Sequence, residues 1–239
     1  KINPKLKHSV DIDYLIKNYK ISDFSSVSPI IGRSSGENIS FVLVNNISFN
    51  TLNSIFIPKN GNFINYLNYI ETPSSSNNGL FKNLLTYKTY KKVDKNIYSF
   101  QSKLGNIISL SDDDVLTDNK FSLGGRWLRG FDNFGAGPRN SRSSYVGGNN
   151  IIVMKFDYSR ELSNNSDFPF YFNLFNDYGI VWDNKTTPTF SDNNIRSSFG
   201  FGLKYYSAIG PIGFSWGFPI QDESYDIKRM FLFSIGNID

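Results

Sequence analysis

The sequence predicts an all-β protein, an antiparallel transmembrane β-barrel wall, on three observations. From residue 80 onward apolar and polar residues alternate with a period of two, as side chains do along a strand. The alternating segments run to roughly 10–15 residues, whereas a soluble strand averages about 5–6 and a membrane-crossing strand needs about 9–11. The connections alternate short and long, the habit of outer-membrane barrels. A soluble β-sandwich gives the same alternation with its apolar face inward, and the segment lengths weigh against it.

The first part of the chain reads as strands at 5–22, 38–50, 61–71, 80–93 and 97–110. In "DIDYLIKNYKISDF" the spacing of Ile12, Leu15, Ile16 and Tyr19 also fits an amphipathic helix, the alternative to a strand there. The later segments are cleaner. In "IIVMKFDYSREL", Ile152, Met154, Phe156 and Tyr158 share one face, and Lys155, Asp157 and Ser159 the other. In "DFPFYFNLFNDYGIVW", Phe168, Phe170, Phe172, Leu174, Tyr178, Ile180 and Trp182 oppose Asn173, Asp177 and Gly179. "IRSSFGFGLKYY" points Phe199, Phe201, Leu203 and Tyr205 outward and leaves Arg196, Ser198, Gly200, Gly202 and Lys204 on the other side. "GPIGFSWGF" alternates Ile212, Phe214, Trp216 and Phe218 with Gly213, Ser215 and Gly217. In "RMFLFSIG", Phe231, Phe233 and Ile235 align. Glycines on the polar face suit a crowded lumen approached by another backbone. Short connections fall near "KKVDKN", "SNNSD" and "SAIG"; the long ones are "LSDDDVLTDNKFSLGG", "DNKTTPTFSDNN" and "PIQDESYD". With about ten strands, no linker and no repeat beyond the hairpin rhythm, residues 1–239 read as one domain.

Composition narrows the function. No stretch approaches the roughly 18–20 apolar residues of a transmembrane helix, which excludes a helical membrane protein and leaves a barrel open. The chain has no cysteine and one histidine, His8, read as an exposed strand residue. Cys/His zinc sites, thiol nucleophiles and Ser-His-Asp triads are therefore nearly excluded. The charge of +4 is scattered, with no basic stripe for nucleic acid. "SDDDV" at 111–115 lacks the spacing and glycine of a calcium loop and reads as a solvated acidic loop. Trp127, Trp182 and Trp216 are candidates for an interface belt, with plain packing the alternative for Trp127 in its loop. A chain that starts with Lys and shows no signal peptide is expected to be processed or a piece of a longer protein.

One stretch stands apart. "GGRWLRGFDNFGAGPRN", residues 124–140, surrounds Arg129 with glycines and places Phe131 two residues on. With "VGGNN", "FNDYGIVWD", "IRSSFGFGLKYYSAIGPIGFSWGFPI" and a final "FLFSIG", it comes in the order of the BamA-type outer-membrane protein insertase family, the bacterial surface antigen barrel. The upstream "ISFNTLNSIFIPKNGNFINYLNYIETP" resembles the family as a strand, a turn ending in Pro-x-x-Gly and the next strand. The resemblance covers nearly the whole chain and is strongest after residue 120.

The resemblance implies the C-terminal ten of a roughly sixteen-strand barrel, with the first strands and the periplasmic POTRA domains lying before residue 1. It implies that the loop tip Arg129, Gly130 and Phe131 folds into the barrel against acidic wall residues, matched here by Asp157 and Asp177. It implies that Phe231, Phe233, Ile235 and Gly236 form the last strand of a lateral gate, the glycine bending it. The terminal Asn-Ile-Asp departs from the aromatic residue with which the family often finishes. The implied function is folding and insertion of barrel proteins into the bacterial outer membrane. The resemblance implies no enzyme chemistry and no cofactor. The implied partners are unfolded barrel clients, accessory lipoproteins, periplasmic chaperones and outer-membrane lipid. A TamA-type assembly factor or a two-partner secretion pore is the alternative within the superfamily, and a passive porin-like channel a remoter one.

Overall fold

The computed structural model describes residues 5–20, 36–74, 78–112, 114–140, 144–163, 168–183, 193–207 and 210–236. The strands are β1 (Lys5–Tyr19), β2 (Gly36–Asn50), β3 (Gly61–Glu71), β4 (Leu80–Val93), β5 (Asn96–Ser109), β6 (Gly130–Phe131), β7 (Asn150–Glu161), β8 (Phe170–Trp182), β9 (Arg196–Ser207), β10 (Gly210–Gln221), β11 (Lys228–Arg229) and β12 (Phe231–Ile235). Ten of them form one antiparallel meander in chain order, with β1 and β12 at its edges, while β6 and β11 pair with each other. No α-helix occurs among the described residues, and no helix is long and apolar enough to cross a membrane.

The helix alternative for the first segment is resolved in favour of a strand. β1 pairs with β2 along its whole length, from Lys5 opposite Asn50 to Tyr19 opposite Gly36, and residues 21–22 of the expected segment lie outside the described residues. His8 sits exposed on β1, its Nε2 2.7 Å from Asn45 Oδ1. The β4–β5 hairpin closes through Asp94 and Lys95, with Val93 opposite Asn96 and Asp94 at φ 54°. Aspartate tolerates that left-handed conformation better than most residues, which is why a two-residue turn can close there.

The ladders place every second side chain on the outer face. One rung runs through Tyr98, Tyr158, Leu174, Phe201, Trp216 and Phe231. Rings meet across it, Tyr98 with Tyr158 at 5.5 Å, Phe201 with Trp216 at 5.4 Å and Trp216 with Phe231 at 5.2 Å. Phe156, Leu174, Phe199, Phe201, Phe231 and Phe233 are exposed on this face. An apolar surface of that extent needs an apolar medium or a partner.

The inner face is covered by the chain itself. The connection between β5 and β7 lays Val115, Phe121, Leu123, Leu128, Phe131 and Ala136 against Leu80, Ile107, Ile151, Val153 and Val181 of the wall. The main core therefore lies between the sheet and its own long loop, as the inward glycines suggest. A Cβ at Gly179 would stand 2.7 Å from Leu123 Cδ1, so the loop's leucine occupies the room that glycine leaves. Trp127 packs at the margin of this core, with Lys103 Nζ 3.8 Å from its ring centre.

One expectation needs correction. The acidic "SDDDV" loop is not solvated at Asp114, whose carboxylate lies 2.5 Å from the buried Lys120 ammonium; a buried cation requires a carboxylate beside it. "PIQDESYD" is a connection as expected, and within it the Asp226 side chain is buried against Arg196.

Candidate functional site

The seat for the loop tip is a single rung of the inner face. Asp157 of β7 stands opposite Phe175 of β8, Phe175 opposite Gly200 of β9, and Gly200 opposite Gly217 of β10. Asp177 lies two residues up β8 from Phe175, on the same face and opposite Lys155. The period of two that points Phe156 and Leu174 outward thus points both carboxylates inward.

Arg129 fills this seat. Its Nε and Nη2 donate to Asp177 at 2.7 and 2.6 Å, and its Nη1 and Nη2 donate to Asp157 at 2.9 and 3.1 Å. Its backbone N–H also donates to Asp177, at 3.1 Å. The guanidinium carbon lies 3.6 Å from the Phe175 ring centre, where the negative face of the ring attracts a cation. A planar fork with several donors can bond each of two carboxylates through two N–H groups at once. The guanidinium is 6% exposed, and the Asp157 and Asp177 side chains 4% and 0%. Burial by itself would lower the guanidinium's pKa; the two carboxylates outweigh it and hold the pKa above its ordinary value.

The residues around Arg129 explain the glycines. Gly130 adopts φ +95°, open to glycine at little cost, and lies against Gly217. A Cβ at Gly217 would stand 2.6 Å from the Gly130 nitrogen and 2.8 Å from the Arg129 carbonyl carbon. Backbone meets backbone there: Gly217 has no room for a side chain, and a Cβ at Gly130 would lie only 3.2 Å from the Gly217 carbonyl carbon. Phe131 is 1% exposed in the core cluster. Lys155 donates to the Arg126 carbonyl at 3.0 Å, and the Asn173 amide to Asp157 at 3.3 Å.

A second cluster holds the same loop near the end of β8. Lys120 bridges Asp114 and Asp183, and the Asn149 amide donates to both carboxylates at 3.1 and 3.3 Å. Again one cation serves two carboxylates.

The Omp85 superfamily domain matches residues 3–238.

The chain belongs to the Omp85 superfamily.

This Omp85 chain is 24% identical over 231 residues to the outer membrane protein assembly factor BamA of Nitratidesulfovibrio vulgaris, a match covering 93% of this chain and 29% of that protein. Its fold resembles the crystal structure of BamA from Haemophilus ducreyi lacking POTRA domains 1–3, with a TM-score of 0.79 at 21% identity. That likeness covers 95% of this chain and 50% of the other. The chain thus spans under a third of the curated relative's length.

Among the residues singled out in the sequence, the Omp85 fold brings Arg129, Gly130, Phe131, Asp157 and Asp177 into one cluster. Phe231, Phe233 and Ile235 point to the opposite, outer face and do not join it. Gly236 follows β12 at φ +87°, with open space around it, and its N–H still donates to the Pro211 carbonyl at 2.9 Å. The terminal Asn-Ile-Asp lies outside the described residues. Sequence reasoning missed Phe175, although it shares the inward phase of Asp177. It also missed the acidic role of Asp114 and Asp183, and Asp226, for which no local pattern gives a signal.

Proposed function

We propose that this chain is the barrel portion of an assembly factor that folds β-barrel proteins and inserts them into the bacterial outer membrane through a lateral gate. The observation that carries this reading is the last strand. β12 pairs with β10 through five residues, Phe231 to Ile235, whereas β9 and β10 pair almost end to end. Ladder strength grows with the number of paired residues, so the last strand is the most weakly held of the sheet, and as an edge strand it leaves its other side to the barrel's first strand. A strand edge held this loosely can exchange partners with an incoming strand by β-augmentation. The docked loop tip supplies the rigid inner support that an opening wall needs, and the outer aromatic rows suit contact with lipid. No covalent step and no cofactor enter this reaction, since strand pairs are exchanged and no bond is made or cut. The partners are unfolded barrel clients, accessory lipoproteins and periplasmic chaperones. The N. vulgaris and H. ducreyi relatives, both named BamA, support the assignment at the level of the superfamily.

The test joins the last strand to the barrel's first strand by an engineered disulfide in the full-length protein. The crosslinked protein should lose insertion of barrel clients, and reduction should restore it. Full insertion in the crosslinked form would remove the gate. Depletion separates the relatives: general loss of outer-membrane barrels supports the insertase, and loss of one exported partner with barrels intact points to the two-partner pore.

A further inference from the structure

We propose that residues 222–230 form a clasp that ties the docked loop tip to the last strand, with Arg196 and Asp226 as its positioning pair. The two side chains are 1% and 0% exposed, with Arg196 Nε 2.6 Å from Asp226 Oδ2. Arg196 Nη2 donates to the other carboxylate oxygen at 3.3 Å, and Arg196 Nη1 to the Asn194 carbonyl at 2.8 Å. Asp226 Oδ2 also accepts the Glu223 backbone N–H at 2.8 Å, which closes the turn. The segment is thus held to the start of β9 from one side.

From the other side it holds the loop tip. Lys228 and Arg229 of β11 pair with Phe131 and Gly130 of β6. The Asp132 N–H donates to the Ile227 carbonyl and the Ile227 N–H to the Gly135 carbonyl, each at 2.9 Å. Arg229 reaches Asp132 at 3.1 Å. One residue further on, the Met230 carbonyl accepts the Gly217 N–H at 2.8 Å, and β12 begins.

A proline explains why the chain changes partner at Met230. The β10–β12 ladder pairs Ile212 with Ile235 and Trp216 with Phe231. Continued upward, the same register sets Pro219 opposite Lys228. Gly217 donates toward the last strand, so the next β10 donor on that side, two residues on, is position 219. Proline has no N–H to give. The register of β10 against β9 also shifts between Pro219 and Gln221. Lys228 and Arg229 therefore pair with the loop tip in place of β10. The upper end of the last strand depends on the tip being docked, and the tip depends on the clasp being closed.

The clasp stands on this geometry; its bearing on client insertion rests on the proposed reading of the last strand. The experiment is hydrogen–deuterium exchange on the full-length protein in phospholipid nanodiscs. It compares wild type with Asp226→Asn, Arg196→Gln and the exchanged pair Arg196→Asp with Asp226→Arg. In the single variants, amides of residues 128–135 and 228–235 should exchange at least tenfold faster, with β7 and β8 unchanged, and the exchanged pair should return part of the protection. Faster exchange confined to 222–227 overturns the clasp. Should the single variants fail to fold, Gly217→Ala lifts the tip from the other side, and unchanged exchange at 227–231 in that variant overturns it equally. Client insertion is measured in the same samples. Coupled exchange with an unchanged insertion rate supports the clasp and counts against the last strand as the gate.

Discussion

The guanidinium of Arg129 sits 3.6 Å from the ring centre of Phe175 while Asp157, directly opposite Phe175 in the ladder, bonds two of its nitrogens. One residue pair of the wall thus supplies both the floor and one side of the tip's seat, and Asp177 supplies the other.

Removing the cation leaves two buried carboxylates without a partner. Arg129→Ala should weaken docking of residues 124–137 by about 3–5 kcal/mol, and in cells should lower the level of assembled barrel proteins. Arg129→Lys keeps the charge but cannot bond both carboxylates in two-pronged fashion, so it should fall between the two. Limited proteolysis of the loop reads the docking. Wild-type resistance in Arg129→Ala would show that the tip is held by other means.

The two acidic residues are not equal. Asp177 takes the Nε, the Nη2 and the backbone N–H of Arg129, and Asp157 takes two guanidinium bonds. Asp177→Asn should therefore loosen the tip more than Asp157→Asn, by about 1 kcal/mol or more, the size of a hydrogen bond to a charged group. Arg129→Asp with Asp177→Arg should recover part of the docking. It cannot recover all of it, since the backbone N–H at 129 loses its carboxylate. Equal proteolysis rates for the two asparagine variants would contradict this ranking.

Two glycines should differ in kind. Gly217→Ala places a methyl group 2.6 Å from the Gly130 nitrogen, backbone that cannot swing away, so the tip must lift and loop proteolysis should rise sharply. Gly236→Ala meets open space and pays only for its φ of +87°, about 1–2 kcal/mol, at the end of β12. Its effect should appear in exchange of residues 231–235 with the tip unchanged. A protected tip in Gly217→Ala would refute the backbone contact.

Lys120 carries the upper hold on the same loop. Lys120→Met should expose residues 114–121 to proteolysis while leaving the Arg129 cluster docked, because the two clusters share no side chain. Additional replacement of Asp183 by Asn should restore part of the resistance by removing one stranded charge. Simultaneous release of both ends would mean that the loop docks as one unit.

The inward placement of Asp157 and Asp177 was legible from the chain because strand parity is a local property: the residue two positions from an inward one is inward. The same parity was available for Phe175, between Asn173 and Asp177, and went unread because an aromatic ring on an otherwise polar face looks like an exception. The ring tolerates that place because Gly200, opposite it in the ladder, leaves room. Asp114 shows the opposite case. The residues before it are acidic and polar, and although Val115 and Leu116 follow it, nothing local says that Lys120 and Asp183 meet it away from water.

By itself the sequence determined the later strands, their antiparallel order and the face that each side chain takes. These follow from alternation and turn chemistry, which act between residues close in the chain, while the tip role of Arg129 came from the likeness of its motifs to a family and the first strand stayed open against a helix. The tertiary structure alone decided that Arg129 serves both carboxylates, that Gly130 lies on Gly217, and that residues 228–229 leave β10 for the loop tip. These contacts join segments many residues apart, and each depends on how a whole loop folds back over the wall. No local period encodes that path; packing against the inner face selects it.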